Sequence, residues 1–226
     1  MIISKTPLRA SFFGGGTDFS TYYENSKLGY GTVVSTALDM YVYIIVNKKF
    51  DDNIRIVYSG NELVSRVDEV KHNIIREAMK IVGIKKGIEI IYMADIPLSN
   101  AGIGLASSSA LAVGVLNALH AYKGEFVPQE VLAREACEIE INRLGQRIGI
   151  QDQFAVAHGG FSQYKFFNDG SVSITPVVCK KEAMVQLRNN LMLFYTGTTR
   201  DSRKILNEQS DTILDKTVML DELVNT

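Results

Sequence analysis

The segment from residue 87 to residue 124 constrains the fold of this 226-residue chain more than any other feature. It consists of a strand-like run, GIEIIYMADIP, the loop GIGLASSSA at residues 102–110, and a run rich in Ala, Leu and Val that stops at Gly124. A glycine directly after such a run is typical of a helix C-terminus. The order of strand, glycine-serine loop and apolar helix predicts a mixed α/β construction with the loop at a helix N-terminus.

The remainder of the chain continues this alternation. Residues 30–50 are rich in Val, Ile, Thr and Tyr and are broken near Asp39, which predicts two neighbouring strands. Apolar residues at three- and four-residue spacing predict an amphipathic helix from Val67 to Val82, and a second helix is expected from Pro128 to about Leu144. Further strands are expected at 160–167, 171–178 and 191–196, followed by a polar-rich helix to the end.

Composition excludes several classes of partner and chemistry. The formal net charge is −1, with both signs spread along the chain, so no basic field would attract nucleic acid or an anionic membrane. The N-terminus lacks an apolar signal core, and the most apolar stretch, Met40 to Val46, is too short for a membrane span. Cys137 and Cys179 form no metal-binding or redox pair. We therefore expect a cytoplasmic protein with no nucleic-acid or membrane partner.

The loop GIGLASSSA allows three interpretations. A helix N-terminus with close-approach glycines binds phosphate well, and serine hydroxyls can bind phosphate oxygens or Mg²⁺. A P-loop would need a lysine before Ser107, but Ala106 stands there. A dinucleotide fingerprint would need a third glycine and a following strand, whereas a second helix follows. Close packing of a helix on a sheet, without any ligand, remains the third interpretation.

Glu140 is the second candidate for a functional residue. At 100° per residue, it falls in the middle of the apolar stripe of the helix predicted from Pro128. An ionised carboxylate there needs a cation, a metal or several hydrogen-bond donors. A buried ion pair with an arginine, or a frayed helix end, would explain it without function. Alternatively, a Mg²⁺ ion held by Glu140 and a loop serine would supply the charge that the lysine-free loop lacks.

Two aspartates follow glycines. Asp152, in GIQDQF, is either a helix cap or a reactive group. Asp18, in TPLRASFFGGGTDF, is either the N-cap of a helix FSTYYEN or an acceptor for substrate hydroxyls.

In this order, the three motifs TPLRASFFGGGTDF, GIGLASSSA and GIQDQF resemble those of the GHMP kinases, named for galactokinase, homoserine kinase, mevalonate kinase and phosphomevalonate kinase. The resemblance runs from Ile2 to about Gln209. Together with LFYTGTTRDS, the motifs look most similar to the D-glycero-D-manno-heptose 7-phosphate kinases. The resemblance implies an α+β fold, that of the GHMP kinase N-terminal domain (ribosomal protein S5 domain 2-like), with a mixed sheet and helices on one face.

The same resemblance implies transfer of the γ-phosphate of ATP to the anomeric hydroxyl of a sugar phosphate. Asp152 would accept the proton, with Arg9 beside it, while Ser108 and Glu140 would hold Mg²⁺. The residues expected to bind ATP are Gly102, Gly104, Ala106, Ser107, Ser108 and Ser109, and those expected to bind the sugar are Gly15, Gly16, Thr17 and Asp18. A kinase for galactose or fucose, and a non-catalytic nucleotide- or sugar-binding remnant, are the alternatives.

The resemblance also divides the chain. Residues 1–185 would form the ATP-binding N-terminal domain, and residues 186–226 would begin a C-terminal domain that is largely missing. The last helix would then expose an apolar face through Ile205, Ile213, Leu214 and Leu220, which favours aggregation or pairing with another chain, such as a homodimer. Ala106 stands where the family uses glycine, and an alanine there opposes a positive φ.

Overall fold

One long strand organises the sheet. The structure is a computed structural model, and it describes residues 1–97, 104–194, 207 and 210–225. Strand β2 (Tyr30–Lys48) pairs antiparallel with β1 (Ile2–Phe13) along most of its length. The predicted break near Asp39 is wrong, because the register shifts between Pro7 and Arg9 while pairing continues on either side. A β-bulge of this kind bends a strand without ending it.

The other edge of β2 carries two strands in succession. Strand β5 (Ile88–Ala94) pairs with residues 42–48, and β6 (Phe161–Phe167) pairs with residues 30–36, both antiparallel. The remaining strands are β3 (Ile54–Val57), β4 (Asn61–Val64) and β7 (Val172–Pro176). Strand β3 is parallel to β5, β4 follows as a hairpin, and β7 pairs with β6. The sheet is therefore mixed, as predicted.

The helices lie largely where the periodicity placed them, with altered ends. They are α1 (Ser20–Tyr23), α2 (Asn73–Val82), α3 (Ser107–Lys123), α4 (Gln129–Cys137), α5 (Gln151–His158), α6 (Lys181–Asn190) and α7 (Thr217–Val224), with 3₁₀ turns at Val67–Glu69 and Leu214–Lys216 and a π-helical turn at Glu138–Arg143. Gly124 ends α3 in the left-handed conformation, as expected. None of the helices in the described ranges is long and apolar enough to cross a membrane.

Two apolar clusters hold the sheet and helices together. The larger joins alternate strand residues such as Leu8, Ile44 and Ile90 to α2 and α3, which explains why α3 is apolar around most of its circumference. The smaller joins Tyr22 and Phe154 to residues near the C-terminus, including Ile213 and Leu220. The expected exposure of Ile213 and Leu220 is therefore wrong, because both pack into this cluster. Leu214 is exposed, as predicted, and Ile205 lies outside the described residues.

Candidate active site

The glycine-serine loop enters α3 through a left-handed alanine. Ala106 immediately precedes Ser107, the first residue of α3, and has φ 61° and ψ 35°. Among the described residues it is the one non-glycine with a positive φ. Gly104, two residues earlier, also has a positive φ, of 79°. A left-handed conformation costs an L-residue about 1–2 kcal/mol, so Ala106 adopts the backbone of a glycine at an energetic cost.

We expect Ala106→Gly to leave the free energy of unfolding unchanged or to raise it by up to about 1 kcal/mol. The substitution removes the left-handed strain but loses a buried methyl worth about 0.8 kcal/mol. The control Ala110→Gly, at a buried α3 position, loses both a methyl and helix propensity, and should lower the free energy by about 2 kcal/mol. Urea unfolding measures both variants; equal losses would contradict the strain at Ala106.

The start of α3 has the chemistry of an anion site. No side chain caps its N-terminus, and the first amides of a helix have no intrahelical acceptor. The helix dipole adds partial positive charge at the same place. Ser107 is half-buried and Ser108 is exposed, so both hydroxyls can reach a ligand. Of the residues predicted to bind ATP, Gly102 lies outside the described residues.

Arg9 connects this loop to Asp152. Its Nε and Nη2 lie 2.8 and 2.6 Å from Oδ1 of Asp152, and its Nη1 donates to the carbonyl oxygen of Gly104 at 2.7 Å. The Arg9 amide donates to the carbonyl oxygen of Leu105 at 3.2 Å. Both contacts to Asp152 fall on Oδ1, and no described residue donates to Oδ2. Asp152 therefore keeps one oxygen for another hydrogen-bond donor, beside the N-terminus of α3.

Asp152 lies in the first turn of α5 but does not cap that helix. The N-cap residue is Ile150, which provides no side-chain hydrogen bond. The capping alternative for Asp152 is thus not realised. The side chain of Asp152 remains 26% exposed, whereas that of Arg9 is 11% exposed. The carboxylate can therefore meet a ligand while the guanidinium supports it from behind.

Glu140 lies at the centre of the π-helical turn that follows α4, and it is fully buried. The structure confirms its predicted place on the buried face but not the regular helix. In the π turn, the amide of Leu144 reaches back five residues to the carbonyl oxygen of Ile139. Single π turns of this kind are frequent at functional sites. Among the described residues no arginine pairs with Glu140, so the ion-pair alternative is not realised, and the carboxylate accepts instead from Ser109 and Gln153.

The electrostatics of Glu140 suit a cation. Burial raises its pKa, while hydrogen bonding from Ser109, Ser108 and Gln153 opposes that rise. Its Oε2 accepts the hydrogen bonds from Ser109 and Gln153, and its Oε1 is buried with no hydrogen-bond partner in the part of the chain that the structure describes. An unpartnered, buried carboxylate oxygen is costly without a positive charge. Oxygen ligands are those that Mg²⁺ prefers, so Glu140 with the nearby Ser108 fits the predicted metal site.

Asp18 is buried at the junction between the first motif and α5. Its Oδ1 accepts from the amide of Gly16 at 3.1 Å and its Oδ2 from the amide of Gln151 at 3.2 Å. It does not cap α1, whose N-cap is Phe19. Burial and the negative charge of Asp152 raise the pKa of Asp18 to about 6, although the backbone donors oppose the rise. Asp18 thus joins the glycine turn to the helix that carries Asp152.

The raised pKa of Asp18 predicts a pH effect on stability. Between about pH 4 and pH 6 the native carboxyl holds its proton longer than the unfolded one, so its contribution to stability falls as pH rises through this window. We expect the stability of Asp18→Asn relative to wild type to increase from pH 4.5 to pH 7.5 in urea unfolding. In the exposed Asp169, hydrogen bonding from Ser171 lowers the pKa, so Asp169→Asn should show no such increase. A constant difference for Asp18→Asn would contradict the prediction.

The other residues of the first motif have distinct roles in the structure. Thr17 is fully buried; its hydroxyl donates to the carbonyl oxygens of Gly14 and Thr32 and accepts from the Thr32 amide. Gly15 is exposed, with open space where a Cβ would stand. Of the residues predicted to bind sugar, Gly15 is therefore the one with an accessible surface, while Thr17 holds the turn in shape.

Sequence reasoning missed two residues that shape the site. Gln153 is fully buried and donates to Glu140 at 2.6 Å, and Gly149 faces Asp18 so closely that a Cβ would lie 1.9 Å from its Oδ2. A signal for Gln153 was present, since a polar side chain precedes the apolar run from Phe154 to Val156. No sequence pattern indicates that Gly149 opposes Asp18, because the two are 131 positions apart.

Comparison with known proteins relates the central part of the chain to a known family. Residues 67–160, which include the loop, α3, Glu140 and Asp152, match the family model for the GHMP kinases N-terminal domain. Over this segment, the chain is similar to the N-terminal domains of the GHMP kinases. It is 28% identical over 216 residues to D-glycero-alpha-D-manno-heptose 7-phosphate kinase of Campylobacter jejuni, covering 90% of this chain and 62% of that protein.

A second curated relative is the galactokinase of Pyrococcus furiosus, at 30% identity over 95% of this chain and 60% of that protein. The chain thus spans about three fifths of the length of these two GHMP kinases. Among solved structures, D-glycero-D-manno-heptose 1-phosphate kinase from Bacteroides thetaiotaomicron superposes with a TM-score of 0.78 at 24% identity, covering 98% of this chain and 74% of that chain. This similarity confirms the GHMP kinase fold, with its mixed sheet and helices.

Proposed function

We propose that the chain forms the ATP- and sugar-binding part of a sugar kinase that phosphorylates the anomeric hydroxyl of D-glycero-D-manno-heptose 7-phosphate. The main support for this proposal is that Arg9 donates hydrogen bonds both to the carboxylate of Asp152 and to the carbonyl oxygen of Gly104. Arg9 thereby connects a carboxylate to the start of α3, where an anion would bind. A phosphoryl acceptor and a phosphate donor would meet between these two groups. The heptose kinase relative supports the choice of sugar.

In this proposal, Asp152 accepts the hydrogen bond of the attacking hydroxyl through its free Oδ2 and takes the proton late in the transfer. The Arg9 guanidinium, bound to Oδ1, fixes the orientation of the carboxylate and places positive charge beside the reaction. The amides at the start of α3 stabilise the phosphate oxygens. Phosphoryl transfer depends mainly on such positioning and charge neutralisation, so a lysine in the loop is not required.

Glu140 and Ser108 are the proposed ligands of Mg²⁺. When bound, the ion would neutralise charge on the phosphates of ATP. The carboxylate of Glu140 would contribute its Oε1, while its Oε2 accepts a hydrogen bond from Ser109 in the first turn of α3. Gly15, which is exposed, would face the sugar, while the buried Gly16 and Asp18 would hold the turn that presents it.

A phosphoryl-transfer assay with ATP and Mg²⁺ tests the proposal. We expect ADP formation with D-glycero-D-manno-heptose 7-phosphate to exceed that with galactose or fucose. The galactokinase relative makes galactose the second candidate, and a preference for it would reassign the substrate. Calorimetry with an ATP analogue and Mg²⁺ tests the alternative that the chain binds a nucleotide without catalysing transfer. Absence of both transfer and binding at millimolar ligand would contradict a kinase and a nucleotide-binding remnant alike.

A further inference from the structure

The two oxygens of the Glu140 carboxylate have different surroundings. Oε2 accepts a hydrogen bond from the Ser109 hydroxyl at 2.7 Å and another from the Gln153 side-chain amide at 2.6 Å. Oε1 is buried and has no hydrogen-bond partner among the described residues. Both donors therefore bind the same oxygen. The asymmetry fixes the rotation of the carboxylate and leaves a single oxygen available.

The donors come from the two helices that also carry the other groups of the proposed site. Ser109 belongs to the first turn of α3, directly after Ser108, but it is buried where Ser108 is exposed. Its hydroxyl is committed to Glu140, although the sequence suggested contact with ATP. Gln153 follows Asp152 in the first turn of α5 and is also buried. Three elements thus meet at one carboxylate.

We infer that Gln153 and Ser109 are positioning residues: they bind Oε2 of Glu140 and so present Oε1 to a divalent cation. The inference rests on the proposed function, which makes Glu140 a ligand of Mg²⁺. A carboxylate that binds a metal is ordinarily held by hydrogen bonds of its own, and losing such a partner typically weakens metal binding 10- to 100-fold.

The arrangement separates the roles of adjacent residues in both motifs. In the serine triplet, Ser108 is available to ligands while Ser109 supports Glu140. In the α5 turn, Asp152 bonds to Arg9 while Gln153 supports Glu140. Because Gln153 and Asp152 are consecutive, a displacement of α5 would move the proposed base and the support of the metal ligand together.

Direct measurement of metal binding tests this inference. Mn²⁺ serves as the probe, in the presence of a non-hydrolysable ATP analogue, and the electron paramagnetic resonance signal of free Mn²⁺ reports binding. We expect Gln153→Met and Ser109→Ala each to raise the Kd for Mn²⁺ about 10-fold or more. The controls Gln163→Met and Ser162→Ala, both on β6 and neither bonded to Glu140, should stay within about twofold of wild type.

Thermal unfolding without metal shows whether each variant is folded. If Gln153→Met does not fold, the Kd of Ser109→Ala for Mn²⁺ tests the inference alone. This variant should fold because alanine is well accepted in the first turns of a helix. Wild-type Kd values in both donor variants would overturn the inference and leave the kinase proposal intact. Failure of the wild-type chain to bind Mn²⁺ would overturn both. If the two donor variants bind Mn²⁺ more weakly than wild type but the wild-type chain transfers no phosphate, the result would support the inference and refute the proposed activity.

Discussion

Asp152→Asn should reduce phosphoryl transfer by about 10³-fold while changing the affinity for an ATP analogue no more than a few-fold. Asparagine keeps Oδ1, which accepts both contacts from Arg9, so the link from Arg9 to Gly104 can persist. It removes the charge and replaces Oδ2, the oxygen proposed to accept the proton, with an amide. General base catalysis typically contributes 10²- to 10⁴-fold, and the substitution should lose most of this contribution.

The matched control is Asp169→Asn, in the exposed turn between β6 and β7, which should leave turnover and nucleotide affinity unchanged. Turnover is measured by coupled ADP release and affinity by calorimetry. Parallel loss of transfer and of analogue binding would indicate that Asp152 maintains the loop through Arg9. Full activity of Asp152→Asn would remove Asp152 from the reaction.

Gly149→Ala should lower the free energy of unfolding by about 2–3 kcal/mol and impair the site. A Cβ at this position would lie 1.9 Å from Oδ2 and 2.3 Å from Cγ of Asp18. Asp18 cannot move aside freely, because it is 2% exposed and its two oxygens accept from the amides of Gly16 and Gln151. Overpacking a filled interior costs roughly 1–3 kcal/mol, and the lost hydrogen bond to the start of α5 adds to it.

The control for this substitution is Gly15→Ala, in the same site region but with open space around a Cβ. We expect its unfolding free energy to stay within about 0.5 kcal/mol of wild type. Urea unfolding at one pH, with the slope compared between variants, measures both. Equal stability of Gly149→Ala and Gly15→Ala would show that Asp18 does not press against Gly149.

Local patterns predicted most of the elements that hold the site. The strand before the loop, α3 with its end at Gly124, and the burial of Glu140 all followed from periodicity and glycine placement, and the structure confirms them. The errors lie where long-range pairing overrides local preference. Residues 30–50 form one strand because β1 supports β2 on both sides of the bulge, and the sequence near Asp39 does not encode that partner.

The candidate functional residues show the same division between those that the sequence indicates and those that depend on long-range contacts. Glu140 was identified as a charge on an apolar face, and Arg9 and Asp152 were identified through the resemblance of their motifs to those of the GHMP kinases. Gln153, Gly149 and the role of Ser109 were not, because a buried glutamine or glycine acquires its function only from what faces it. The π turn at Glu138–Arg143 likewise has no sequence signal in a helix of ordinary periodicity.

By itself, the sequence determined the order of strands and helices, the glycine-serine loop at the start of α3, and the presence of a costly carboxylate on a buried face. These depend on neighbours along the chain, whose spacing is visible in the sequence. Only the tertiary structure decided which oxygen of Glu140 is left free, which oxygen of Asp152 Arg9 binds, and which serine faces inward. Those choices depend on angles and distances of a few ångström between residues that are 13 to 143 positions apart in the chain, and spacing along a sequence does not specify them.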